Sequence, residues 1–233
     1  MMEKAYSVQE TFEHTGAIIF AERNIEARKW GAGEFNEGEL GGLMVYRAPW
    51  ADRYREYGKI PASEMIAHGW WFECVECGER ISEDWLYDNR RSLDDVIGHQ
   101  GGAVFCCTGC ARRFYSIKRR RKAEEQRAID AFKGIVRRRF PDAVFNDSAD
   151  DDSNRFRERH HAYVIPGKGG WHWQQVVVSF QFPGMKYGAA QLMLNETRSI
   201  GPALASFSCC NGDKEAFEAF AEQQKMLVKG ASR

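Results

Sequence analysis

Two Cys-x-x-Cys pairs constrain this chain more than any other feature. The first closes an aromatic run, Trp70, Trp71, Phe72, Glu73, Cys74, Val75, Glu76, Cys77, Gly78. The second, Cys107, Thr108, Gly109, Cys110, opens a long cationic stretch. Two intervening residues let both sulfurs of a pair turn towards one point, and four thiolates at about 2.3 Å from one Zn²⁺ make a closed tetrahedral site. The expected ligands are therefore Cys74, Cys77, Cys107 and Cys110, holding a structural zinc ion. Cys106 competes with Cys107 for one place. A Cys106-x3-Cys110 spacing fits a knuckle less well, so Cys106 is assigned to a strand with Ala103, Val104 and Phe105. The competing reading is four reduced, buried cysteines without a metal. A redox pair is disfavoured, because neither pair stands in a thioredoxin-type βαβ pattern.

The surroundings of the two pairs differ. Gly78 lets the backbone turn tightly after the second sulfur, and Arg80, Ile81, Ser82 supply the return strand. The other pair lies at a helix N-terminus, where the helix dipole favours thiolate charge. Hairpin first and helix second resembles a treble-clef zinc finger. The excursion between the pairs, residues 78–106, is longer than the roughly 15–20 residues of the common four-cysteine spacing.

Cysteines number seven, an odd count with four in metal-type spacing, which argues for a reducing compartment rather than a disulfide framework. The first 14 residues have no apolar centre and no small-residue cleavage pattern, so they do not read as a signal peptide. No apolar run approaches the roughly 18 residues that a membrane span requires. A cytoplasmic protein without membrane contact is the expectation. At 233 residues, 43% hydrophobic, there is material for one large domain or two small ones.

Residues 1–16 read as a frayed lead-in. Ala17, Ile18, Ile19, Phe20, Ala21 form a short buried strand. A short helix follows over residues 24–30, with Asn24 as cap and Gly31 as stop. Leu43 to Arg47 is a second strand, closed by Pro49. Residues 61–69 suit a short helix with proline at its first turn and glycine at its end. Arg47, Trp50, Asp52, Arg53 and His68 could serve a site; surface polarity beside a core tryptophan is the simpler reading.

The helix after the second pair extends to about Phe140. Apolar residues recur at Ile129, Phe132, Val136 and Phe140, so that half has a face to bury. The preceding segment, Lys118, Arg119, Arg120, Arg121, Lys122, has none. Residues 111–140 hold twelve Lys or Arg against three Asp or Glu. Lys plus Arg and Asp plus Glu are each 33 in the whole chain, so the rest carries the opposite excess. Residues 142–157 are acidic and poor in hydrophobes, with Asp150, Asp151 and Asp152 adjacent, and read as a linker. Beyond them Val176, Val178, Phe180 and Phe182 alternate along one strand face. Pro166, Gly167, Lys168, Gly169, Gly170 is a hairpin turn; it lacks the spacing of a phosphate-binding loop. Residues 190–194 read as a strand or a helix and residues 203–209 as a strand; Asp213 caps a final helix, residues 214–229, with Phe217, Phe220 and Ala221 as its buried stripe. Cys209 and Cys210 read as packing.

The fold expected is α+β: a treble-clef-like zinc domain with a long basic helix (residues 1–141), the acidic linker (142–157), and a small antiparallel sheet plus C-terminal helix (158–233). The leading functional reading is nucleic-acid binding through Arg112, Arg113, Lys118, Arg119, Arg120, Arg121 and Lys122, with salt-sensitive contacts to phosphate. Trp70, Trp71, Phe114 or Tyr115 would stack on unpaired bases. A second reading is a protein-interaction module or inhibitor acting on a host protein complex, anchored by Trp50, Trp85 and Tyr87. A third is a degenerate HNH-like nuclease with His99 as base. The HNH dyad is missing from the run Asp94 to Gly102, and His160 and His161 lie outside the finger, so no catalytic residue is assigned.

The run Ile60 to Cys74, with Asp84, Trp85, Leu86, Tyr87 and Ala131 to Val136, resembles proteins of unassigned activity encoded by bacteriophages and prophages, over about residues 17–142. The resemblance implies paired Cys-x-x-Cys ligands and a host-cytoplasm setting. It does not extend past residue 155.

Overall fold

The computed structural model describes residues 2–12, 15–145, 160–195 and 205–230. It is mixed helix and sheet, with small antiparallel sheets and a C-terminal helix, and it divides between Ser116 and Ile117 into two compact units.

In the first unit, β1 (Lys4–Glu10) is the middle strand of a sheet ordered β2-β1-β3, with β2 at Gly16–Ala21 and β3 at Leu43–Arg47. Both pairings are antiparallel. Residues 4–10 are therefore no frayed lead-in. Their period-two pattern is masked by Ser7 and Gln9, yet Tyr6 and Val8 bury on one face and Ala5 on the other. The Tyr6 face packs under helix α1 (Asn24–Phe35), through Ala27 and Ala32. The Ala5 face meets Ala48, Ala51, Ile60 and Met65. Gly31 does not stop α1. A Cβ there would lie 2.4 Å from Val8 Cγ1, so glycine is the residue that lets helix and sheet approach.

The polar group after β3 holds this layer together. Arg47 and Asp52 form a two-pronged ion pair, and Asp52 Oδ1 also accepts from the Ala5 N–H at 2.7 Å. Trp50 stacks on His68, ring centroids 4.1 Å apart, and Arg53 pairs with Glu64. These residues fix a 3₁₀ turn, Pro49–Tyr54, to the sheet.

Helix α2 (Ala62–Ile66) then leads into the hairpin β4 (Phe72–Glu73) and β5 (Arg80–Ile81). Helix α3 (Glu83–Asp88) is capped by Ser82, whose Oγ accepts from Trp85 N–H. Ala62, Ile66, Ile81, Leu86, Val104 and Phe105 make the core around three of the cysteines. The excursion is tied back to the sheet by Gln100, whose side-chain amide both accepts from Ile18 N–H at 2.7 Å and donates to Ile18 C=O at 2.9 Å. Residues 103–106 do not form a strand. Phe105 makes a reciprocal bridge with Ile97 and the helix begins three residues later.

Helix α4 (Thr108–Arg139) runs 32 residues, about 48 Å at 1.5 Å per residue. Its first turns pack into the cysteine core through Cys110, Ala111 and Phe114. From Ile117 onward it belongs to the second unit, where Ala128, Phe132, Val136 and, just past its end, Phe140 are all buried. Compactness thus divides the chain inside α4 rather than at the acidic stretch, because i, i+4 apolar residues make the helix's last three turns core. Most of that stretch, residues 146–157, lies outside the described residues; Val144 bridges Gln181.

The second unit adds an antiparallel sheet ordered β6-β7-β8-β9: His161–Gly167, Gly170–Phe180, Ala190–Asn195 and Ser206–Ser208. Lys168 and Gly169 turn β6 into β7, with Gly169 at φ 96°. Val176, Val178, Phe180 and Phe182 bury as the alternation predicts. Helix α5 (Lys214–Gly230) contributes Phe217 and Phe220 to rings packed around Phe140. Asp213 precedes it. Its carboxylate accepts from the N–H groups of Lys186, Tyr187 and Gly188 at 2.8–3.0 Å, locking the loop before β8.

Candidate metal centre and basic helix

The hairpin places the first two sulfurs. Cys74 N–H donates to Glu79 C=O and Gly78 N–H to Cys74 C=O, each at 2.8 Å, and Gly78 takes φ 75° to close the turn. Val75 N–H donates to Val104 C=O at 3.0 Å, fastening the knuckle to the chain that enters α4. That entering chain is still extended at Phe105, which sets Cys106 opposite Cys74, its N–H 3.5 Å from Cys74 Sγ. Cys110, one helical turn on, completes the set.

The sulfurs that converge are those of Cys74, Cys77, Cys106 and Cys110, all within 4.8 Å of one another. This differs from the expected set, which named Cys107. The reason is local. Cys106 ends the extended segment facing the knuckle, whereas Cys107 is the first residue whose carbonyl serves the helix, accepting from Ala111 N–H. Its side chain is half-buried and its Sγ lies 4.0 Å from that of Cys106. The adjacent thiols in Cys106-Cys107-x-x-Cys110 made both spacings legible, and only the direction of the incoming chain decides between them.

The set fits a metal ion such as zinc. A tetrahedron with about 2.3 Å metal–sulfur bonds has sulfur–sulfur edges of about 3.8 Å. The Cys77–Cys106 and Cys106–Cys110 edges are 3.7 and 3.6 Å. Without a cation the four cannot all be thiolates. Burial pushes the Cys74 thiol up, but the N–H groups of Cys106, Cys77 and Glu76 outweigh it and bring it down to about 7. Burial, then the neighbouring sulfurs of Cys110, Cys77 and Cys74, push Cys106 up. Burial raises Cys110 to about 11. The Cys74 thiol is poised to ionise while those of Cys106 and Cys110 resist, which a divalent cation reverses. Among the described residues, this is the group whose donor atoms converge in that way.

Arg113 belongs to this centre. Its Nη2 donates to Cys110 Sγ at 3.0 Å and its Nε to Glu76 at 3.3 Å. Four thiolates and one divalent ion leave two negative charges, and a guanidinium beside them offsets part of that charge. Arg112 is exposed on the same turn.

Every residue from Ile117 to Ala123 is exposed. Among the described residues, Lys118, Arg119, Arg120, Arg121 and Lys122 make no ion pair. The aromatics expected to accompany them are partly engaged. Phe114 packs on Phe105, while Tyr115 is 44% exposed. Trp71 is 40% exposed and lies under the Arg80 guanidinium. Of the other anchors, Trp50 is stacked on His68, Trp85 Nε1 donates to Glu79, and Tyr87 is fully on the surface.

His99 Nδ1 lies 2.9 Å from Gln100 C=O, and its ring packs so closely on Gly102 that a Cβ there would fall within 2.7 Å. That is a structural turn. His160 Nδ1 accepts from Ser179 N–H at 3.3 Å in the second unit. Cys209 is half-buried and Cys210 exposed, beside the start of the 3₁₀ turn that carries Asp213.

No family model matches the chain, and no curated protein and no solved structure matches it either. None of these comparisons supplies a relative for the run from Ile60 to Cys74. No helix among the described residues is long and apolar enough to cross a membrane.

Proposed function

We propose that this is a zinc-binding protein in which a structural, treble-clef-like four-cysteine centre fixes the start of α4, and that the exposed cationic segment of α4 binds nucleic acid along its phosphate backbone. The ligands are Cys74, Cys77, Cys106 and Cys110; four protein sulfurs leave no open position for catalysis. The observation that carries the reading is the segment Lys118, Arg119, Arg120, Arg121, Lys122: five successive cations, all exposed and unpaired among the described residues. Like charges at i, i+3 and i, i+4 repel by about 0.2–0.5 kcal/mol per pair, and a polyanion removes that repulsion. Arg112 extends the same charge; Arg113 is committed to Cys110.

Fluorescence anisotropy with single- and double-stranded DNA and RNA, across a salt series, tests it. On duplex DNA the logarithm of affinity falls with a slope of about 0.9 per phosphate contact. Replacing residues 118–122 by glutamine is expected to lower that slope by up to about 4.5 and to abolish binding at physiological salt. No binding by the parent at low salt, or an unchanged slope in the variant, overturns the reading.

A further inference from the structure

A second surface of the first unit has the opposite charge. Trp70, Trp71 and Arg80 form a ridge shared by two depressions, of about 810 and 600 Å³. The larger is backed by Phe35, Met65 and Phe72, the smaller by Ile66 and Trp85. Their rims are acidic: Glu83, Asp84 and Asp88 around the smaller, Glu34 and Glu73 around the larger. None of the five carboxylates makes an ion pair among the described residues. Among the described residues, Arg80 is the only cation lining either depression, and it does not pair with them. Its guanidinium lies over the Trp71 ring, 4.4 Å from the centroid.

Local structure explains only part of this. Glu83 and Asp84 stand in the first turn of α3, where they complement the helix dipole. Asp88 stands in the last turn, where a carboxylate opposes it. A 40% exposed tryptophan beside half-buried Trp70 and Trp85 is costly to leave against water. The acidic rim disfavours base stacking by Trp70 and Trp71, because it would repel phosphates.

We propose that these two depressions form a docking groove for an extended, cationic polypeptide segment of another protein. Its Arg or Lys side chains would lie on the tryptophan faces and meet the unpaired rim carboxylates. Arg80 on Trp71 is the internal example of the contact: an indole face here takes a guanidinium, and the face it occupies is one a partner's arginine would compete for. Charge complementarity and the aromatic faces select the partner together. Acid alone would attract any cation, and tryptophan alone any apolar chain.

The test uses the full zinc-loaded chain and a fluorescein-labelled Arg-Gly-Ser repeat peptide, with the same peptide carrying glutamine for arginine as control. Anisotropy should rise with the arginine peptide only. Trp71→Ala should weaken binding about two- to fivefold, the range of an exposed cation–π contact. Asp84→Asn with Asp88→Asn should weaken it and flatten its salt dependence. Arg80→Gln should tighten it by freeing the indole face and removing a like charge, an effect a merely structural arginine would not give. Glutamine variants of residues 118–122 should bind the peptide as the parent does, which separates this groove from nucleic-acid binding. Equal binding of both peptides, or unchanged binding in the double Asn variant with its zinc content intact, overturns the proposal. So does sedimentation showing that the groove is filled by the basic helix of a second copy.

Discussion

Exchanging one thiol at a time discriminates sharply between the two candidate ligand sets. In Cys106→Ser the hydroxyl replaces a sulfur whose distances to its neighbours, 3.7 and 3.6 Å, match the roughly 3.8 Å edge of a zinc tetrahedron. In Cys107→Ser the lost sulfur is half-buried, outside the converging set, and 4.0 Å from Cys106. Changes to residues that merely support metal ligands cost 10–100-fold in affinity, so loss of a ligand should cost more than about 100-fold, or about 2.8 kcal/mol at 1.4 per tenfold. Cys107→Ser should stay within about tenfold of the parent, the lower bound for a supporting group. Competition against a chromophoric chelator gives both affinities, and elemental analysis gives the stoichiometry. A double variant lacking both thiols guards against Cys107 rotating into the vacated place; a single variant that binds more tightly than the double reveals such rotation. Metal retained by Cys106→Ser at parental affinity, or lost by Cys107→Ser, refutes the geometric reasoning.

Arg113→Ala removes the guanidinium 3.0 Å from Cys110 Sγ; zinc affinity should fall by about 10–100-fold in the same chelator assay, with stoichiometry unchanged. Phe140 is 2% exposed and contacts Phe180, Phe207, Phe217 and Phe220, so Phe140→Ala should cost about 3–5 kcal/mol in urea unfolding of the second unit. Asp213 is pushed up by burial but held below the usual carboxylate range overall by three backbone N–H groups. A depressed folded-state pKa gives stability that is complete above the unfolded value, near 4, and is lost as pH falls towards the folded one. The parent should therefore lose stability below about pH 4 faster than Asp213→Asn, and identical acid profiles would dismiss that role.

Where hydrophobic periodicity was strong, sequence and structure agree. The alternation from Val176 to Phe182 and the i, i+4 series ending at Phe140 both bury as read. β1 is hidden in the sequence because its alternate residues are Ser7 and Gln9, and because a central strand with Ala5 on its second face carries little apolar bulk. Gly31 looks like a terminator in the sequence, which cannot distinguish a glycine that ends a helix from one that lets a strand approach it. At the metal centre, three of the four converging sulfurs were legible from spacing. The fourth was a choice between adjacent thiols, decided by the Phe105–Ile97 bridge, a contact between residues that no periodicity connects. The acidic groove was invisible for the same reason: Glu34, Glu73 and Asp88 come together only through the fold.

Helix α4 is anchored near both ends, by Cys110 and Phe114 in one core and by Ala128 and Phe132 in the other. The strand of like charges between those anchors would unwind as a free peptide. Here the packed residues on either side hold the turns helical against like-charge repulsion at i, i+3 and i, i+4. Withdrawing the ion should let the turns near Cys110 slacken first, and amide hydrogens from 117 to 123 should then exchange faster, whereas a bound polyanion should slow them. Sensitivity to metal supply would then follow from the helical continuity between Cys110 and residue 117.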